Sequence, residues 1–159
     1  MQMKYALTGI VVLLSASAAR AQLPNPYGAS INLEDAKKVA APAVAEARKN
    51  SWNVAVAIVD VAGNLVYYEK MDGTQLGSVT VSIDKARSAA LFKRPTKAFQ
   101  DVVASGGDGL RILGLPGAVP LEGGVPIIVD GKIVGAIGVS GATSAQDAQC
   151  ANAGANSVK

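Results

Sequence analysis

Residues 123–141 read GGVPIIVDGKIVGAIGVSG, and this stretch holds two apolar runs of strand length, at 125–129 and 133–139. The dipeptide Asp130-Gly131 separates the two runs. Asp-Gly between apolar runs is a strong signal for a two-residue hairpin turn, because both turn positions need a positive φ. We therefore predict two buried antiparallel strands joined by a tight turn.

A second hairpin is predicted upstream, where the apolar runs 54–61 and 65–68 flank Ala62-Gly63-Asn64. The turn needs a positive φ at Gly63 or Asn64. Helical segments lie between and around the two hairpins. Two glycine-containing hairpins in such a setting predict one α/β domain built around an antiparallel sheet.

Capping residues predict where the outer helices begin. Asn32 is placed to cap a first helix, and Pro42 inside the apolar pattern of that helix predicts a kink or an offset start. The last helix is expected to begin at Ser144, with Asp147 three residues later in a variant capping box. Residues 105–124 form a long Gly/Pro-rich segment, and a loop of that length in a compact domain is usually functional or interfacial.

Two further helices are predicted in the middle of the chain. Residues 78–92 have apolar positions at helical spacing, and the opposite face of that helix carries Asp84, Lys85 and Arg87. Thr96 is expected to cap a short third helix that runs to about residue 104. The basic residues should therefore lie on the solvent side of the second helix.

The first 21 residues are predicted to be a cleaved signal peptide. Lys4 supplies a positive start, residues 5–18 are mostly apolar, and Ala19-Arg20-Ala21 offers a small-residue cleavage site. A transmembrane helix is the competing interpretation, but the apolar run is shorter than the roughly 20 residues that a bilayer needs. We expect a periplasmic or secreted protein with an extended lead-in over residues 22–30 and a domain over residues 31–159.

Composition argues against several classes of function. Removal of the predicted signal peptide takes away Lys4 and Arg20, so the formal net charge of +3 falls to near neutrality and offers no basic excess for nucleic acid. The chain has no histidine, the commonest general base and a common zinc and haem ligand. Cys150 is the single cysteine, interpreted as a buried filler, with a free thiol or an intersubunit bridge as alternatives.

Seven short motifs follow one another along the chain in a characteristic order. They are Ile58-Val-Asp-Val-Ala-Gly-Asn-Leu-Val66, Met71-Asp-Gly73, Asp84-Lys-Ala-Arg87, Arg94-Pro-Thr96, Gly123-Gly-Val-Pro126, Gly135-Ala-Ile-Gly-Val-Ser-Gly141 and Gln146-Asp147. The ordered set resembles the GlcG/HbpS-like haem-binding family. The resemblance implies a three-layer α/β domain with a mainly antiparallel sheet flanked by helices, assembly into dimers and larger rings, and binding or degradation of haem or related tetrapyrroles.

A candidate haem site can be assembled from residues in and around these motifs. Haem presents two propionates and a flat apolar ring, so it needs cations at one edge, apolar or aromatic walls, and an iron ligand such as Tyr or Met. The candidate binding residues are Lys85, Arg87, Tyr68, Met71, Arg94 and Thr96. The alternative is that the basic residues form a solvated helix end and the tyrosines fill a sheet face.

We therefore expect an exported protein that binds haem or another tetrapyrrole in haem handling or sensing. A homo-oligomer is expected because the many small apolar side chains leave flat faces for a partner. A small-molecule enzyme or accessory factor of a catabolic operon, and a non-catalytic structural oligomer, are the alternatives. The acidic residues are too scattered to assign an acid–base pair, and Ser140 has no histidine to serve as its base.

Overall fold

The structure is a computed structural model that describes residues 24–158. The predicted signal peptide, the first two residues of the lead-in and Lys159 lie outside the described residues. Within the described part of the chain, no helix has both the length and the apolar character needed to cross a membrane.

A four-stranded sheet forms the middle of the domain. Its strands are β1 (Ala55–Val59), β2 (Leu65–Lys70), β3 (Gly124–Val129) and β4 (Lys132–Ser140). They lie in the order β2-β1-β4-β3, and every neighbouring pair is antiparallel. Both predicted hairpins are confirmed. In the β3–β4 turn Asp130 has a φ of 48° and Gly131 has a φ of 70°, the two positive values that a type I′ turn requires.

Among residues 24–158, four α-helices and one 3₁₀ helix complete the domain. They are α1 (Leu33–Lys49), α2 (Ser78–Phe92), α3 (Lys97–Ala104), the 3₁₀ helix (Gly107–Gly114) and α4 (Ser144–Ala155). Asn32 caps α1 as predicted, since its side chain accepts a hydrogen bond from the Asp35 amide at 2.9 Å. The helix runs through Pro42 from Leu33 onward, so the alternative of an offset start is wrong.

The capping box of α4 is built differently from the prediction. Thr143 is the N-cap and Gln146 is its reciprocal partner. Asp147 therefore takes no part in the cap, and its side chain is free to turn into the protein interior, where it is 2% exposed.

The helices cover both faces of the sheet, which confirms the three-layer α/β fold. Helices α1 and α4 pack on one face, over a core that includes Val56, Ile58 and Ile137. Helix α2 covers the other face through a smaller core of alanines with Val59. The α2 layer approaches β4 closely, because a Cβ atom added at Gly138 would lie 2.0 Å from the carbonyl oxygen of Ser82. Small side chains are what make this approach possible.

The lead-in extends the sheet. Tyr27 forms a parallel bridge with Ile133, beyond the point where β1 ends. The Tyr27 hydroxyl also donates to the carbonyl oxygen of Ala90 at 2.9 Å, so the lead-in is fastened to the carboxyl end of α2.

Candidate functional site

Lys85 lies in the interior of the protein, so the expectation that it shares the solvent face of α2 with Arg87 is wrong. Its side chain is 2% exposed, and its Nζ donates to Asp147 Oδ2 at 2.8 Å and to the carbonyl oxygen of Val139 at 3.0 Å. Lys85 follows Ser78 and Ser82 along the buried face of α2. The counter-charge comes from α4, 62 residues further along the chain, and helical periodicity around Lys85 gives no sign of it.

Two glycines, one immediately before β3 and one at its first position, pack closely against Lys85. A Cβ atom added at Gly123 would lie 2.8 Å from Lys85 Nζ, and one added at Gly124 would lie 2.3 Å from the Lys85 carbonyl oxygen. We call the group of Lys85, Asp147, Gly123, Gly124 and Thr96 the Lys85 cluster. Its members come from four separate sequence motifs and meet in the interior of the domain.

Thr96 belongs to the Lys85 cluster through two backbone contacts. Its amide donates to the carbonyl oxygen of Gly124 at 3.0 Å, and its hydroxyl accepts from the amide of Gly124 at 2.9 Å. Thr96 occupies the N-cap position of α3 as predicted, but its side chain makes no capping hydrogen bond there. The buried hydroxyl of Thr96 is therefore bonded to Gly124, and this contact holds the start of α3 against β3.

Asp147 has a second hydrogen bond besides its ion pair. Its Oδ1 accepts from the amide of Ala142 at 3.0 Å. Burial raises the pKa of the Asp147 carboxyl, while the hydrogen bond and charge of Lys85 act in the opposite direction. Lys85 is therefore the main group that opposes the rise of this pKa, ahead of the backbone amides of Ala142 and Gly141.

Tyr68 and Met71, the two candidate iron ligands, lie on opposite faces of the sheet. Tyr68 packs against the alanine core beside α2, whereas Met71 packs against the core beside α1 and α4. Alternation along β2 places Tyr67 on the Met71 side, where its hydroxyl donates to Glu69 Oε2 at 2.9 Å. The structure therefore does not bring Tyr68 and Met71 to one ligand.

Tyr68 and Arg87 do share a side of the sheet. Tyr68 and Ile83 both pack against the alanine core under α2, and Arg87 follows Ile83 by one helical turn. The Nε atom of Arg87 donates to the carbonyl oxygen of Gly63 in the β1–β2 turn at 3.0 Å. We call the surface formed by Tyr68, Ile83 and Arg87 the Tyr68–Arg87 face.

The hydroxyl of Tyr68 is buried and has no hydrogen-bond partner within residues 24–158. Burial raises the pKa of this phenol. Buried polar atoms are nearly always paired, so an orphan of this kind marks a place where a further group can bind. This atom is the strongest pointer to a ligand on the Tyr68–Arg87 face.

Arg94 lies apart from that face, beyond the carboxyl end of α2. It is exposed, its Nε donates to the carbonyl oxygen of Phe92 at 3.0 Å, and its guanidinium carbon lies 5.6 Å from the centroid of the Phe99 ring. Of the six candidates, Tyr68 and Arg87 lie on the same side of the sheet, Lys85 and Thr96 are internal, and Met71 and Arg94 lie elsewhere. A role in ligand binding stays a prediction for each of them.

Other nucleophilic and metal-binding possibilities find little support. Cys150 is buried, and burial raises the pKa of its thiol to about 11, which agrees with its interpretation as a filler. Residues 135–140 lie in β4, where an added Cβ at Gly135 would be 2.3 Å from the Val59 carbonyl oxygen, so this glycine run serves close backbone packing. The described residues hold no group of three or more His, Cys, Asp or Glu placed to bind a metal ion.

Sequence reasoning missed a cleft of about 970 Å³ beside β3. Its lining includes Lys93, Pro95, Val125, Pro126 and Ile128. These residues come from the α2–α3 connection and from an edge strand that are distant in sequence. The packing of α2 against the sheet brings these residues together, and no local sequence pattern predicts the cleft.

Comparison with known proteins settles the family. The family model for the haem degrading protein HbpS-like matches residues 31–156. The chain belongs to the HbpS-like family. This membership confirms the resemblance drawn from the ordered motifs, and it agrees with the three-layer fold described above.

The chain is also similar to individual proteins and solved structures. Protein GlcG of Escherichia coli K12 is 43% identical over 95 residues, which cover 60% of this chain and 69% of that protein. The crystal structure of HbpS superposes with a TM-score of 0.75 at 33% identity, covering 83% of this chain and 92% of that one. The crystal structure of a complex of PduOC with haem has a TM-score of 0.73 at 26% identity, covering 82% and 96%.

Proposed function

We propose that this chain is an exported protein that binds haem or a related tetrapyrrole and acts in haem handling or sensing. Membership of the HbpS-like family and the similarity to the PduOC–haem complex support a haem-related function. The observation on this chain that carries the proposal is the buried hydroxyl of Tyr68, which has no partner within residues 24–158 and lies on the α2 side of the sheet, as Ile83 and Arg87 do.

The residues of the Tyr68–Arg87 face fit the chemistry of haem. A tyrosine oxygen is one of the axial ligands that proteins offer to haem iron, and this chain has no histidine to offer instead. The only side-chain hydrogen bond that Arg87 makes within residues 24–158 uses Nε, so the rest of its guanidinium is available for a propionate. Ile83 and the Tyr68 ring supply apolar surface for the macrocycle. Haem bound here supplies the iron chemistry, while these residues hold and orient it.

The test is a haemin titration followed by absorption spectroscopy. Tyr68→Phe should abolish the spectrum of a tyrosine-bound ferric haem without loss of stability, because the substitution removes only an unpaired oxygen. Arg87→Glu should weaken binding by up to about fivefold, since exposed ion pairs contribute up to about 1 kcal/mol. Lys49→Glu, which changes an exposed cation on α1, is the matched control and should bind as the wild type does.

The pH dependence of the same titration gives an independent check. Iron binding to Tyr68 releases the phenol proton, and burial holds the pKa of Tyr68 above its ordinary value of 10.0. Affinity should therefore rise with pH through the whole neutral range and should lose this dependence in Tyr68→Phe. A wild-type spectrum that remains that of free haemin would refute the site.

Haem breakdown is the second candidate function, favoured by the description of the family as haem degrading. Incubation of the haem complex under air with a reductant separates the two activities. A binding protein keeps its Soret absorbance, whereas a degrading enzyme loses it and releases iron faster than haemin alone does. Tyr68→Phe serves as the control for any loss that does not involve bound haem.

Export and self-association are two further parts of the proposal. The intact mass of protein recovered from the periplasm should match a chain that begins at Gln22, and a mass that retains Met1 would contradict export. Exposed apolar side chains, including Leu76, Leu91 and Leu113, support a homo-oligomer. Light scattering at micromolar concentration should therefore give a multiple of the monomer mass, and a monomer would contradict it.

A further inference from the structure

The cleft beside β3 has the size and the character of a small-molecule site. Its volume of about 970 Å³ falls within the range of known ligand pockets. Its walls include the apolar side chains of Val125, Pro126 and Ile128. Its charged lining residues, among those described, are Lys93 and Asp130.

Lys93 is held in position by unusual local structure. It ends α2 with a φ of 54° and a ψ of 35°, and its amide donates to the carbonyl oxygens of Ala89 and Ala90. Glycine is the usual residue at such a left-handed position, because a side chain adds a steric cost there. The Nζ atom lies 4.1 Å from the centroid of the Tyr27 ring.

The ammonium group of Lys93 lacks an anionic partner. No carboxylate in residues 24–158 lies within 4.0 Å of it, whereas Lys85 and Lys97 each have such a partner. The contact with Tyr27 fixes the direction of the cation without neutralising its charge. The cleft therefore presents a positioned, unpaired positive charge beside apolar walls.

The edge of β3 is poorly suited to pair with a peptide strand. The carbonyl oxygen of Gly123 accepts a hydrogen bond from the Val139 amide in β4. Backbone hydrogen-bonding groups alternate in direction along an antiparallel strand, so those of Gly124 and Pro126 point away from β4. Thr96 already occupies the backbone groups of Gly124. Pro126 has no N–H to donate. A small molecule fits these properties better than an added strand does.

We infer that the cleft binds an apolar molecule that carries a carboxylate. The carboxylate lies at Lys93, and the apolar body lies along Val125, Pro126 and Ile128. Asp130 repels a second anion in the same cleft and so fixes the orientation of the ligand. The described lining contains no His, Cys, Met or Tyr, so this site binds without an iron ligand and is separate from the Tyr68–Arg87 face.

Two fluorescent probes distinguish the possible sources of this chemistry. cis-Parinaric acid is a chain with one carboxylate, and protoporphyrin IX is a metal-free ring with two. Each is titrated into wild-type protein, Lys93→Gly and Lys93→Arg. Lys93→Gly keeps the left-handed backbone and removes the charge, so it should fold at least as well as the wild type. We expect about tenfold weaker binding in Lys93→Gly and retained binding in Lys93→Arg.

Controls locate the effect in the cleft. Lys97→Met removes a neighbouring exposed cation that is paired with Asp101, and it should leave binding unchanged. Ile128→Trp changes a side chain that is 40% exposed, narrows the cleft and should weaken both probes. Lys93→Gly should leave the absorption spectrum of haem bound at Tyr68 unchanged, which separates this site from the proposed haem site. Binding of cis-parinaric acid alone indicates a chain-like natural ligand, and binding of protoporphyrin IX alone indicates a ring-like one. Failure of both probes to bind, or equal affinity for wild type and Lys93→Gly, overturns the inference.

Discussion

The buried ion pair between Lys85 and Asp147 should be the most sensitive point of the fold. We expect each of Lys85→Met and Asp147→Asn to lower the free energy of unfolding by about 3–5 kcal/mol, the usual cost of breaking a buried pair. In Asp147→Asn, the Lys85 ammonium keeps the Val139 carbonyl oxygen as an acceptor but loses its counter-charge. In Lys85→Met, the carboxylate of Asp147 keeps only amide donors such as that of Ala142.

The double variant Lys85→Met/Asp147→Asn should be more stable than the sum of the single losses predicts. It removes both charges, so neither is left buried alone, and the coupling energy should be about 2–3 kcal/mol. Urea unfolding at neutral pH measures all four species. The matched control is the exposed pair of Lys97 and Asp101, whose atoms lie 2.7 Å apart against 2.8 Å in the buried pair. Its disruption should cost at most about 1 kcal/mol.

The loss in Lys85→Met should also depend on pH with a definite sign. Burial raises the pKa of Asp147 above its ordinary value of 3.8, and the substitution removes the lysine that opposes this rise. The folded state then holds its proton to higher pH than the unfolded state does. The destabilisation should be smallest below pH 3.8 and should grow as the pH rises. Additive single losses, or a pH-independent loss, would refute the assignment of Lys85 as the partner of a buried carboxylate.

Three further predictions concern packing, capping and reactivity. Gly138→Ala should destabilise the domain by more than about 1 kcal/mol in urea unfolding, because its Cβ would lie 2.0 Å from the Ser82 carbonyl oxygen; unchanged stability would contradict the close packing of α2. Thr143→Ala should cost about 1 kcal/mol through loss of the α4 capping box, whereas Thr143→Ser should cost much less. Cys150 should resist iodoacetamide in native protein at pH 8 and react in urea, since burial raises its pKa to about 11; rapid native alkylation would contradict this.

Local signals predicted most of the secondary structure. The Asp130-Gly131 turn, the capping of α1 by Asn32 and the limits of α2 depend on residues close together in sequence, and the structure agrees with each. The antiparallel sheet followed from the two hairpins. The pairing of β1 with β4, which joins the hairpins, is a long-range contact that neither hairpin sequence specifies.

The position of Lys85 could not be predicted from its neighbours. A lysine among Asp84 and Arg87 reads as part of a solvated helix face, because an unpaired charge is too costly to bury. The compensation lies in Asp147, which reaches Lys85 only after α4 folds against the sheet. The opposite faces of Tyr68 and Met71, in contrast, agree with strand alternation, because the two residues are an odd number of positions apart.

The motifs that identify the family therefore say more about the fold than about the ligand. Lys85, Thr96, Gly124 and Asp147 come from four of those motifs, and in this chain they hydrogen-bond to one another or approach too closely for a side chain at the glycine. The hydrogen bonds of Lys85, Thr96 and Asp147 hold α2, α3, β3 and α4 together, which gives these residues a structural role in this chain. Residues with unmet bonding capacity are better guides to binding. Within residues 24–158, the hydroxyl of Tyr68 and the ammonium of Lys93 are two such groups, and each carries one of the two proposed sites that the titrations can tell apart.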